Sequence, residues 1–245
     1  MSQVEYRTDV LIVGGGSSGM RVARHIKELD PSMDVLIIDK GPKEWGGLMS
    51  MCGGDIDVVM PDEHVEDWVR ELTYYWDGLC DQNLVSELLN RSYDRFRDYQ
   101  ELGCHFFKNP DGSLRSVLQR GLKHCKLYPA QLKGTGGRDM VNGLRGKLQE
   151  LGVRQLGRSM VTDLLFQPDG RVNGAIGFDG RTGEFFTVQC AAVLIASGQA
   201  EWKPAYSQNT ATGEGMELAF RAGVDFQNFE FVKVWNVPKD FTWEG

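Results

Sequence analysis

The chain has 245 residues, of which 41% are hydrophobic and 25% charged, with a formal net charge of −7. That length builds one large domain or two small ones around a sizeable core. The acidic balance, with no Lys/Arg run, argues against nucleic-acid or anionic-membrane partners.

The first eight residues are polar and no apolar stretch approaches a membrane span, so neither a signal peptide nor a transmembrane segment is expected. Residues 9–13 then read as a buried strand and 17–29 as the helix that follows it. The turn between them, Gly-Gly-Gly-Ser-Ser-Gly, places Gly14, Gly16 and Gly19 in a G-x-G-x-x-G. Its glycines serve a tight turn, close approach of backbone to a pyrophosphate, and close helix–strand packing. The helix N-terminus adds free N–H groups and the positive end of its dipole. A second strand, 35–38, ends in Asp39, twenty residues past Gly19, where an acid takes the hydroxyls of an adenosine ribose. This pattern alone does not separate FAD from NAD.

A glycine-rich loop follows over 41–54, with the pairs Gly46-Gly47 and Gly53-Gly54 bracketing Leu-Met-Ser-Met-Cys. Val65, Trp68, Val69 and Leu72 share one helical face. Leu84, Val85, Leu88, Leu89, Phe96 and Tyr99 make a longer one, capped by Asp81 or Asn83 and ended by Gly103. The stretch 104–133 is less regular, with an Asn-Pro-Asp-Gly turn at 109–112. Together these predict an all-helical insert over about 61–133.

Beyond it, Gly134-Thr-Gly-Gly137 leads into a helix over 138–151. Short strands over 153–196 are separated by hairpins at Asp169-Gly170 and at 180–183. The apolar run 192–196 predicts a central strand covered on both faces. A short helix at 215–222 and a strand near 225–229 close the readable order. The fold class is therefore α/β, a Rossmann-like parallel sheet with a helical insert and a small antiparallel patch. That order departs from the steady strand–helix alternation of NAD-dependent dehydrogenases and moves the cofactor expectation from NAD to FAD.

The five cysteines, Cys52, Cys80, Cys104, Cys125 and Cys190, are scattered, odd in number and without a Cys-x-x-Cys, and the four histidines share no ligand spacing with them. No metal site is expected, and free thiols in a reducing cytoplasm are the default.

The residues resemble a known family, the flavoprotein subunits of fumarate reductase and succinate dehydrogenase, with aspartate oxidase and the adenylylsulfate reductase α-subunit as relatives. The resemblance runs through the opening Asp-Val-Leu-Ile-Val-Gly-Gly-Gly-Ser-Ser-Gly, Ile-Ile-Asp-Lys-Gly at 37–41, the double Gly-Gly loop and Gly-Leu-Cys-Asp-Gln at 78–82. It continues through Glu-Leu-Gly-Cys-His-Phe at 101–106, Val-Leu-Ile-Ala-Ser-Gly-Gln at 193–199, Thr-Gly-Glu-Gly-Met-Glu-Leu-Ala-Phe-Arg-Ala-Gly at 212–223 and Asn-Phe-Glu-Phe-Val at 228–232.

The resemblance implies FAD in an extended pose and a hydride passing between flavin N5 and a small, often carboxylated substrate. It implies that Gly14, Gly16, Ser18 and Gly19 face the pyrophosphate, backed by Ala196, Ser197 and Gly198. It puts Asp39 on the adenosine ribose, with Lys40 and Gly41 bordering the adenine. Gly46, Gly47, Ser50, Gly53 and Gly54 would lie along the ribityl chain and the isoalloxazine edge. Gly213, Glu214 and Gly215 would touch the flavin side, although Glu214 also suits a helix cap. Phe106 matches a phenylalanine near the substrate, against its reading as a core aromatic. Glu230 could pair with N–H groups near the flavin or be a buried structural acid, and Arg138 could meet an anionic ligand or be a solvated first-turn arginine.

Two departures qualify the resemblance. Relatives with covalent FAD use a histidine in the 46–54 loop; here that loop has none, so non-covalent FAD is expected, with Met49, Met51 and Cys52 available to flank the flavin. In the family, a cap domain carrying the substrate-holding residues follows the point where this sequence ends, and the FAD domain is expected to be incomplete at its C-terminus. The missing cap could be carried on a separate polypeptide, with a redox partner subunit as in the family, or the chain could be a flavin-binding remnant without catalysis. An NAD-binding module is the remaining alternative.

Overall fold

A computed structural model describes residues 4–130, 136–200 and 211–231. Gly134, Thr135, Val232 and the last three residues of the 61–133 insert, used in the sequence reading, lie outside them.

Strand β1 (Val4–Arg7) precedes β2 (Val10–Val13), α1 (Ser17–Leu29) and β3 (Val35–Ile38). Strand β4 (Ile56–Asp57) leads to α2 (Val65–Tyr75), α3 (Gln82–Asn90) and α4 (Ser92–Glu101). Two short strands, β5 (Val117–Leu118) and β6 (Lys126–Tyr128), come before α5 (Gly136–Glu150). Then follow β7 (Arg154–Leu156), β8 (Ser159–Phe166), β9 (Val172–Asp179), β10 (Phe185–Gln189), β11 (Ala192–Ile195) and α6 (Glu214–Arg221).

The central sheet is wholly parallel, in the order β11-β2-β3-β7. Strands β2 and β3 read as unbroken apolar runs because both faces are covered. On one face Ile12, Val35 and Ile37 pack with Met20 and Ala23 of α1 and with Met140, Val141, Leu144 and Leu148 of α5. On the other, Leu11, Val13, Leu36 and Ile38 meet Val161, Ala175, Phe186 and Val188 of a second sheet, ordered β1-β10-β9-β8. Period-two alternation thus divides each strand between two cores. The expected antiparallel patch is this four-stranded layer, widened by β1, which pairs parallel with β10. A strand at the polar N-terminus was not expected; its backbone edge, not its side-chain pattern, recruits it.

Several expectations are corrected. The insert is mixed: β4, β6 and β5 form a third sheet. The long helix predicted from 84 to 99 is two helices broken at Arg91. There the Ser92 hydroxyl donates to Leu89 O at 2.7 Å and accepts from Val59 N at 3.0 Å, tying the break to the start of the insert. Asp81 is the cap of α3, its carboxylate accepting from Asn83 N and Leu84 N. Leu84 and Leu88, placed on an inward face by periodicity, are exposed.

Strand β11 stands at the edge of the described sheet, half-buried rather than central. Residues 225–229 form an irregular segment with a bend at 227–228 instead of a strand, and Glu230 is exposed rather than buried. Both expected hairpins are present. The second is tied by Asp179, whose carboxylate accepts from Arg181 N and Thr182 N.

Candidate functional site: the cleft at the switch of the parallel sheet

The cleft begins where β2 ends. Gly14 turns with φ +115°, and a Cβ there would sit 2.3 Å from the carbonyl oxygen of Ala196. Only glycine fits this turn. Helix α1 starts from Gly16 without a side-chain cap, so its first N–H groups remain available to an anion. A Cβ on Gly19 would lie 2.0 Å from Gly14 O, so this third glycine packs helix on strand. Gly14, Gly16, Ser17 and Ser18 line the cleft, whereas Gly19 is not among its lining residues.

Asp39, at the end of β3, accepts from Gly15 N at 2.5 Å and from Gly41 N at 2.6 Å. Its carboxylate therefore ties the glycine turn to the strand that follows. Lys40 reaches across to α6, bonding Glu214 at 2.8 Å and the Thr212 hydroxyl at 2.5 Å. The resemblance put Lys40 by the adenine and Glu214 by the flavin; in the fold an ion pair joins the two side chains. Gly213, in the left-handed region at φ +85°, is the N-cap of α6, so Glu214 is its first residue and not its cap.

Burial pushes the Glu214 carboxyl up, but hydrogen bonds from Lys40 and Thr212 outweigh it and hold the group below the usual range. A depressed folded-state pKa means that the pair stabilises above the unfolded value, about 4.3, and that this contribution is lost as pH falls through the folded value. Lys40→Met is expected to cost about 0.5–1 kcal/mol in urea unfolding of the FAD-free chain at pH 7. The difference from the unsubstituted chain should shrink towards zero as Glu214 is protonated in acid.

The glycine loop divides into two groups. Gly47, Leu48 and Met49 line the cleft, whereas Gly46, Ser50, Gly53 and Gly54 are not among its lining residues. A Cβ on Gly54 would be 2.5 Å from Gly137 N, and one on Gly137 would be 1.9 Å from Met49 O. This loop and the start of α5 interlock backbone to backbone. The buried Ser50 hydroxyl donates to Gly47 O. Met51 and Cys52 are exposed and off the cleft wall.

The described cleft measures about 240 Å³ and gathers Gly14, Gly16, Ser18, Asp39, Lys40, Gly41, Gly47, Ala196, Ser197, Gly198, Glu214 and Gly215 of the expected residues. Sequence reading missed Ser159, Met160 and Val161 of β8 and Pro42, and did not count Trp45 as a cofactor contact. The β8 residues have no glycine or charge signature. They arrive because Ser159 N donates to Asp39 O at 3.0 Å and Arg158 N to Gly41 O at 2.7 Å.

Phe106 is away from the cleft, buried against Phe96 with ring centroids 4.4 Å apart. Burial pushes the Cys104 thiol up to about 11, and burial with the nearby Glu71 carboxylate pushes Cys125 to about 12; both are inert at neutral pH. No cluster of potential metal ligands occurs among the described residues. No helix there is long and apolar enough to cross a membrane.

A family model described as an FAD binding domain matches residues 9–242. The chain belongs to this FAD binding domain family. Its cofactor is FAD, which resolves the choice that the glycine motif left open. The cleft fits the group: a glycine turn that no Cβ can enter, an uncapped helix N-terminus and an acid at the strand end converge on it.

The chain is 28% identical over 236 residues to the fumarate reductase flavoprotein subunit of Mycobacterium tuberculosis (strain ATCC 25618 / H37Rv), covering 96% of this chain and 40% of that protein. It is also 28% identical over 239 residues to the L-aspartate oxidase of Streptomyces coelicolor, covering 92% and 39%. In fold it is similar to E. coli quinol fumarate reductase, with TM-score 0.80 at 22% identity over 89% of this chain and 37% of that one. Adenylylsulfate reductase of Archaeoglobus fulgidus gives 0.75 at 21% identity, covering 90% and 36%. The chain thus spans about 40% of the length of these curated relatives.

Proposed function

We propose that this chain is the FAD-holding part of a flavin-dependent oxidoreductase of the fumarate reductase/succinate dehydrogenase type. The substrate class is a small, carboxylated molecule. The observation that carries the reading is the cleft itself, where Gly14, Asp39 and the start of α1 converge. When bound, FAD supplies hydride transfer at flavin N5. Gly14, Gly16 and Ser18 hold the pyrophosphate against the α1 N-terminus, backed by Ala196, Ser197 and Gly198. Asp39 holds the adenosine ribose, and Lys40, Gly41 and Glu214 close that end. Gly47 and Met49 extend the wall towards the flavin. Gly46, Ser50, Gly53 and Gly54 act from outside the cleft lining, by fixing the loop, and Gly213 and Gly215 shape the start of α6.

The FAD is held non-covalently. None of the cleft-lining residues described is a histidine, cysteine or tyrosine that could carry an attached flavin. A redox partner subunit fits this reading, because the relatives named as flavoprotein subunits belong to larger enzymes. A cytoplasmic setting suits five cysteines that are all free thiols. The coverage of about 40% favours a second reading, in which this stretch binds flavin and turnover needs residues that the longer relatives supply.

Purified chain mixed with FAD should turn yellow, and acid precipitation should leave the flavin in the supernatant. Flavin in the pellet would overturn the non-covalent assignment, and a colourless protein would overturn binding. Reduction of fumarate by the reconstituted chain alone would overturn the second reading.

A further inference from the structure

Trp45 stands in the cleft wall beside Gly47 and Met49, yet it belongs to neither glycine pair and to none of the expected contacts. It is 41% exposed, a large aromatic left open on a concave surface. Its position is fixed from three directions. Trp45 N donates to Pro42 O at 2.9 Å, closing a turn. Arg145 of α5 donates to the carbonyl oxygen of the preceding residue, Glu44. Arg138, seven residues earlier on α5, lies over the Trp45 ring with its guanidinium carbon 4.6 Å from the centroid.

Two arginines of one helix thus hold the 44–45 segment, one by its backbone and one by the ring. With a guanidinium over one face, the ring still keeps exposed surface in the cleft wall for a ligand. A tryptophan offers that surface at low conformational cost, and stacking on it tolerates any planar base.

We infer that Trp45 is an aromatic platform on which a planar ring of the bound dinucleotide stacks, with Arg138 a positioning residue that acts through it. The inference rests on the FAD reading above and deepens it. The shared chemistry is a flat heteroaromatic ring, supplied by either the isoalloxazine or the adenine of FAD.

The test titrates the chain with FAD and, separately, with ADP, which carries only the adenine. Trp45→Ala should weaken FAD binding about tenfold, within the range for loss of one base–aromatic stack. Trp45→Phe, which keeps a ring, should lose about threefold or less and serves as the folded control, with thermal melting confirming both variants. Arg138→Gln should weaken binding about threefold in the unsubstituted chain and add nothing to Trp45→Ala, because contacting residues couple in a double-mutant cycle.

If ADP binding falls with Trp45→Ala as FAD binding does, the adenine is the stacked ring. If ADP is unaffected while FAD weakens and its bound fluorescence rises, the isoalloxazine is. Unchanged affinity for both ligands in Trp45→Ala overturns the inference while leaving the FAD reading intact. An Arg138→Gln effect that adds fully to Trp45→Ala overturns the positioning role. Failure of the unsubstituted chain to bind either ligand overturns the FAD reading and the inference with it.

Discussion

Gly19→Ala is expected to lower the midpoint of thermal unfolding by roughly 6–12 °C, whereas Gly16→Ala leaves it within about 2 °C and removes FAD binding. The difference follows from what a methyl group would meet. At position 19 it lands 2.0 Å from Gly14 O and 3.1 Å from Ile12 Cγ2, so β2 and α1 must separate where both are buried. Overpacking of this kind costs about 3 kcal/mol, and one kcal/mol is worth about 2–4 °C in a domain of this size. At position 16 the nearest atom is 3.9 Å away, so the chain accommodates the methyl group, which is added to a residue of the cleft wall proposed to hold the pyrophosphate. Melting curves followed by circular dichroism and FAD titrations of the same two variants separate fold from ligand. A Gly19→Ala chain that melts normally yet fails to bind FAD would return Gly19 to the ligand side, where the sequence pattern placed it.

The same contrast shows how much of the site was legible in advance. The turn at 14–19, β3 and Asp39 are local: a strand, a tight turn and a helix within thirty residues, each set by side-chain period and glycine placement. They are found where the sequence puts them. Ser159, Met160 and Val161 join the cleft across 120 positions from Asp39, through backbone hydrogen bonds that no residue type announces. The Lys40–Glu214 pair is similarly remote; each residue was singled out, but the family resemblance implied different parts of the cofactor for them and nothing in the sequence pairs them.

The glycine loop was half legible. Its composition signals close approach of something to the backbone, and that something was assigned to the cofactor throughout. At Gly54 it is the start of α5 instead, a packing partner more than eighty residues on. Periodicity failed in a comparable way at Leu84 and Leu88, where it reports an apolar face but not whether anything covers it. Strand β11 met the same limit: a continuous apolar run fits a central strand, and the described structure pairs it on one side only.

Phe106→Ala is expected to cost about 3–5 kcal/mol of unfolding free energy, the usual price for emptying a buried aromatic site. Phe106 is 3% exposed and sits on Phe96, which in turn lies 5.9 Å from the Tyr128 ring. An isolated backbone bridge to Ala130 fixes the segment on which it lies. These aromatics belong to the same buried cluster as Ile12, Met20 and Val35, so the insert and the dinucleotide-binding core share one hydrophobic interior. The loss should therefore appear as a fall in the stability of the whole cooperative unit, with one urea transition shifted rather than a second one uncovered. Phe106→Leu, which keeps most of the volume, should cost less than about 1.5 kcal/mol. If Phe106→Ala instead unfolds like the unsubstituted chain, its side chain is not holding this cluster together and the contact with substrate that the family resemblance implied becomes the better account. The geometry favours the core: a ring that stacks on substrate needs one open face, and the neighbours of Phe106 leave it almost none.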